Sequence, residues 1–84
     1  MDRCLPLHRL AVGQAGTVRE LLATGSLRRR LQDLGVVVGR RVYCLHRSLS
    51  GDPTAFGICH GVFALRERDA ARILVEPEEV AEWD

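Results

Sequence analysis

Glycine is the residue that most limits what this chain can build. It recurs at positions 13, 16, 25, 35, 39, 51, 57 and 61, and no residue from Pro6 to Gly61 lies more than six positions from a glycine or proline. Segments cut that short accommodate brief strands and single helical turns. With 84 residues the chain makes one small domain. A domain of this size buries only about 60 % of its unfolded surface, which leaves little for a deep catalytic cleft.

Between the glycines the pattern is readable. Leu7, Leu10 and Val12, followed by Gly13 and Gly16, predict one helical turn and a tight bend. Residues 17–22 read as a first strand, β-branched at its start. Ser26 is the expected N-cap of a helix whose apolar positions 27, 31 and 34 follow the i, i+4, i+7 spacing. Gly35 stands where a left-handed C′ residue belongs, and Val36 is placed to close back on Leu31. Residues 40–48, 54–59 and 61–66 read as strands, separated by the Gly51-Asp52-Pro53 turn and a reversal near His60-Gly61. One helical turn over 68–72 and a last strand over 73–75, ended by Pro77, complete the pattern. Five or so short strands with one short α-helix after the first strand imply an all-β fold closed as a small, strongly bent barrel. Val18, Leu31, Leu34, Val42, Cys44, Phe63, Leu65 and Ile73 are its expected core. Residues 1–76 form the domain and 77–84 an acidic tail.

Charge divides the chain in the same place. All twelve basic residues are arginines placed before residue 73, and five of the eleven acids fall in the last nine residues. A basic body hints at nucleic acid, but the acidic tail blunts that inference, and the tail reads as a solvated end or a segment docked through Trp83. No apolar run approaches the roughly 20 residues of a membrane span. Residues 1–6 lack the apolar core of a secretory signal, so the chain is expected to be cytosolic and complete. Three cysteines without a CxxC pair fit reduced thiols better than a disulfide scaffold.

Taken in order, the segments resemble the ferrous iron transport protein A (FeoA) family. The matching pieces are Leu7-x-x-Leu10-x-x-Gly13-x-x-Gly16-x-Val18 and Arg30-Leu31-x-x-Leu34-Gly35-x-x-x-Gly39, then Gly51-Asp52-Pro53, Ala64-Leu65-Arg66 and Asp69-Ala70-x-x-Ile73-x-Val75. The same domain ends metalloregulators of the diphtheria-toxin-repressor type. The resemblance implies an SH3-like β-barrel with a helical insertion. It also implies a cytoplasmic accessory role in bacterial ferrous iron uptake, exerted on a membrane transporter that carries a cytosolic GTP-binding domain. It does not imply GTP hydrolysis here, since the chain has no P-loop and no lysine.

Four kinds of chemistry compete for the remaining residues. Cys4 and His8 would share a face if that end were helical, Cys44 and His46 would share a strand face, and Cys59 and His60 adjoin at a hairpin tip. Such thiol–imidazole pairs suit Zn²⁺ better than Fe²⁺. A metal-responsive domain using Cys59, His60, Cys4 and His8 is therefore the alternative function. Against it, Cys44 reads as a small core hydrophobe and Cys59-His60 as an exposed turn open to weak or adventitious Zn²⁺ or Fe²⁺. A thiol or triad enzyme lacks the cleft that would perturb its groups, and none is expected. Arg28, Arg29 and Arg30 could meet phosphates, yet stacking aromatics are scarce, so nucleic acid is not an expected partner. Protein docking remains, through Tyr43, Leu49, Pro53 and Phe56 around the Gly51-Asp52-Pro53 turn, with a weak homodimer left open. Leu49 is singled out because it lies between two serines in a polar loop.

Overall fold

A computed structural model describes residues 3–78. Along the chain lie β1 (Leu5–Pro6), a 3₁₀ turn (Leu7–Arg9), β2 (Ala15–Leu21), α1 (Gly25–Leu34), β3 (Arg41–Arg47), β4 (Thr54–Ile58), β5 (Gly61–Leu65), α2 (Glu67–Ala70) and β6 (Ile73–Pro77). The six strands form one antiparallel sheet ordered β1-β6-β2-β3-β4-β5. Register shifts between Val18 and Glu20 in β2 and between Cys44 and His46 in β3 give the sheet its bend. Its two edges, β1 and β5, are not paired with each other.

Strand alternation drives one face inward. Val42 and Cys44 of β3, Phe56 and Ile58 of β4, and Ile73 and Val75 of β6 are fully buried. Leu7 and Leu10 close one side of that core and Leu31 of α1 another. Six of the eight expected core residues are buried, whereas Leu34 and Phe63 only pack against the cluster's margin. The reason is position. Leu34 is the last residue of α1, and Phe63 lies opposite Phe56 on β5, an edge strand covered from one side alone.

The end of α1 follows local chemistry. Gly35 takes φ 108°, the left-handed region that costs a glycine nothing. Its N–H donates to Gln32 O at 3.0 Å, and the Val36 N–H donates to Leu31 O at 2.9 Å. These are the two bonds of a Schellman ending, with Leu31 and Val36 both fully buried beneath it. At the other end the cap position is Thr24, not Ser26, and no side chain caps the helix. Arg28 instead donates to Leu21 O at 2.8 Å and Ala23 O at 3.3 Å, holding the connection from β2.

Two further boundaries differ from expectation. β1 has only two residues and no pattern of its own, and it exists because β6 offers it a ladder. β6 does not stop at Val75 but runs through Glu76 to Pro77, which lies opposite Gly16, and the Glu78 N–H carries the pairing onward to Ala15 O at 2.8 Å. Among the described residues no helix is long and apolar enough to cross a membrane.

Candidate functional site

The loop from β3 to β4 is built to hold one leucine outward. The Ser48 N–H donates to Pro53 O at 3.2 Å and the Gly51 N–H donates to Ser48 O at 2.9 Å, which closes the loop on itself. The Ser50 hydroxyl donates to Asp52 O at 3.0 Å. Asp52 in turn accepts the Glu67 N–H at 2.9 Å, tying the loop to the start of α2. With so many polar groups satisfied internally, the loop keeps its shape without packing. Leu49 lies at its apex with 109 % relative exposure, against 42 to 65 % for the other exposed large hydrophobics. A large apolar side chain held fully in water by an ordered loop is a feature of recognition surfaces, not of cores.

Beside this loop is an open cleft of about 340 Å³ lined by Asp52, Arg66 and Arg68. Sequence reasoning missed the two arginines. In the sequence Arg66 stands at the end of a strand and in the Ala64-Leu65-Arg66 piece, and nothing local announces that α2 returns to the Asp52 turn. Asp52 belongs to the Gly51-Asp52-Pro53 turn in the sequence, and the structure adds that its carboxylate is the link to Glu67.

The four residues expected to line one groove are not brought together. Tyr43 pairs with Gly57 and Cys44 with Phe56 across the β3–β4 ladder. Tyr43 and Phe56 therefore point to opposite faces of the sheet. Phe56 is fully buried and is corrected here from a surface contact to a core residue. Pro53 is half-buried at the base of the loop that carries Leu49. Tyr43 stands apart, with its hydroxyl accepting from Arg41 at 2.6 Å and the guanidinium 4.8 Å over its ring. Arg41 also forks onto Glu78, with Nη2 donating to Oε1 at 2.6 Å, and that hydrogen bond holds the Glu78 carboxyl below its ordinary range. Glu78, the last described residue, thus lies on the same arginine as Tyr43, while Trp83 lies outside the described residues.

The thiol–imidazole pairs fare as follows. Cys4 and His8 share no helical face, because Leu5–Pro6 is a strand and Leu7–Arg9 a single 3₁₀ turn. His8 reaches toward Glu67 instead, 3.8 Å away. Cys44 and His46 do not share a strand face either. The bulge between them breaks the two-residue period, leaving Cys44 buried and His46 exposed. Cys59 and His60 are both exposed at the β4–β5 hairpin tip, where Cys59 Sγ accepts from Arg40 Nη1 at 2.9 Å. No group of three or more His, Cys, Asp or Glu side chains among the described residues is arranged to hold a metal ion. Burial pushes the Cys44 thiol up from its ordinary value. In the folded protein Cys59 should react with a thiol reagent at pH 8 and Cys44 only after unfolding, as counted by a colorimetric thiol assay.

The triple arginine is likewise occupied. Arg28 holds carbonyls, and Arg30 Nη2 meets Asp69 Oδ2 at 3.2 Å, bracing α1 against α2. Arg29 is exposed, and among the described residues it has no such role.

Comparisons with known proteins agree with this architecture. The FeoA domain model matches residues 5–77. No curated protein sequence matches. Among solved structures, the FeoA protein of Chlorobium tepidum is 31 % identical with TM-score 0.79, covering 84 % of this chain and 68 % of its own. A Stenotrophomonas maltophilia FeoA complexed with zinc is 29 % identical with TM-score 0.71, covering 86 % of this chain and 93 % of its own. That protein is described as a procaryotic SH3 domain protein and a candidate activating factor of ferrous iron transport. A manganese-dependent transcriptional repressor in complex with manganese, 21 % identical with TM-score 0.81, shares the fold over 38 % of its length and 93 % of this chain. The antiparallel sheet, with α1 inserted between β2 and β3, is thus an SH3-like fold.

Proposed function

As this chain belongs to the FeoA domain family, we propose that it serves bacterial ferrous iron uptake as a non-enzymatic accessory factor, docking on the cytosolic GTP-binding domain of the membrane iron transporter. The observation that carries this reading is Leu49, fully exposed at the apex of a loop fixed by its own hydrogen bonds. Pro53 supports the loop from below, and Arg66 and Arg68 flank it across the open cleft. Tyr43 is a second, separate contact candidate on the outer face of β3. Because a loop tip and a shallow cleft bury less than the roughly 1,200 Å² of a stable interface, the contact is transient. The place of action is the cytoplasmic side of the membrane.

A Leu49→Glu variant tests this. The side chain packs against nothing in the fold, so the variant's unfolding free energy should stay within about 0.5 kcal/mol of the parent. Accumulation of radiolabelled ferrous iron in cells relying on the variant should fall to that of cells lacking the protein. Parental uptake with Leu49→Glu would remove the loop from the docking surface.

A metal-responsive role ranks second. It has the exposed Cys59-His60 tip in its favour, but two ligands leave a zinc ion half of its tetrahedral shell short.

A further inference from the structure

We propose that the free edge of β5 is a self-pairing surface, through which two copies of this chain join their sheets about a two-fold axis. The two sheet edges are unlike. β1 is two residues long and ends in Pro6, which has no N–H to donate, so that edge is blunted. β5 is five residues, Gly61-Val62-Phe63-Ala64-Leu65, with no charge, no proline and an unbroken register against β4. It carries no charge, proline or bulge to blunt the edge, and among the described residues no strand pairs with it beyond β4.

Its backbone is disposed for pairing. Ile58 and Gly61 flank the two-residue hairpin turn, so the hydrogen-bonded pairs with β4 fall at Gly61, Phe63 and Leu65. The N–H and C=O groups of Val62 and Ala64 consequently point away from β4, toward the open edge. The same two side chains are exposed on the outer face, Val62 at 65 %.

The occupant that fits is a second copy, because the strand is complementary to itself. An antiparallel second β5 centred on Phe63 sets Val62 of each copy opposite Ala64 of the other. Those are the two residues whose backbone groups face outward, and each such pair exchanges both of its hydrogen bonds. Bulk also alternates correctly, with alanine beside valine and Gly61 beside Leu65. No charged residue lies within the paired stretch, so no like charges are brought together, and Arg66 falls outside it. At the centre, Phe63 meets its equivalent. This is the large apolar side chain that its own fold leaves only half-covered, and a neighbouring strand supplies the missing side.

Five residues bury less than a stable dimer needs, so association should be weak, with a dissociation constant of about 0.1–1 mM. Sedimentation equilibrium on the full chain, from about 20 μM to about 1 mM, reads it directly. The weight-average mass should rise with concentration from 9.4 kDa toward twice that value. Val62→Lys, a change at an exposed position, should weaken association at least about tenfold. Ala64→Pro should do the same by removing an N–H that has no partner among the described residues. If Ala64→Pro fails to fold, Val62→Lys alone decides. A mass of 9.4 kDa throughout, or association that Val62→Lys leaves unchanged, overturns the proposal. So does an edge whose Val62 and Ala64 amides are protected from hydrogen exchange only by the transporter's cytosolic domain. Uptake tests on Leu49 are independent of all these outcomes.

Discussion

Phe56→Ala should lower the unfolding free energy of this domain by about 3–5 kcal/mol. Phe56 is the largest fully buried side chain and lies on β4 between the β3 and β5 ladders. Truncating a buried phenylalanine costs about 3–5 kcal/mol, the lost transfer energy plus the cavity left behind. A domain this small has about 4–12 kcal/mol in total, so the change removes from about a quarter to all of it. The expected thermal melt, followed by circular dichroism, has its midpoint lowered by at least about 12 °C, at roughly 4–8 °C per kcal/mol. The variant also separates two readings of the same residue. A surface contact at this position would leave the melt intact and weaken partner binding alone. The buried residue found here predicts that binding is lost because the sheet is.

Gly35→Ala is the second large effect. At φ 108° any L side chain is strained, at a cost of about 1–2 kcal/mol. Space is short as well, since a Cβ there would stand 3.2 Å from the Cβ of Cys59 and 3.4 Å from Cγ2 of Ile58. The Cys59 neighbour cannot swing aside, because it is fixed to the tight β4–β5 turn, where Cys59 itself has φ 60°. Strain and crowding together should lower the unfolding free energy by about 2–4 kcal/mol, measured by urea denaturation. A loss under about 0.5 kcal/mol would mean that the Schellman ending is replaceable.

That helix ending was fully legible in the sequence because all of its parts are local. Leu31, Gln32, Gly35 and Val36 lie within six residues, and the two hydrogen bonds run from Gly35 to Gln32 and from Val36 to Leu31. Legibility fails where identity is supplied from far along the chain. Leu5–Pro6 becomes a strand only through pairing with Leu74 and Val75. Phe56 and Phe63 look equivalent in sequence, and only the strand order shows that one is central and the other on an edge. The period of two placed Val42 and Cys44 correctly, then misplaced His46, since a bulge cannot be read from alternation. Of the candidate site, Leu49 could be singled out by its polar neighbours. Its direction could not, because the bond from Asp52 to Glu67 that fixes the loop spans fifteen residues.

The docking claim is tested most directly by adding the transporter's cytosolic GTP-binding domain to the isotopically labelled chain and following its amide resonances. The expected result is saturable shifts confined to residues 48–53 together with Arg66 and Arg68, absent when Leu49→Glu replaces the parent. Unmoved amides in that loop at about 1 mM of the domain, the upper range for a transient interface, would contradict it. Shifts centred on another face would contradict it equally.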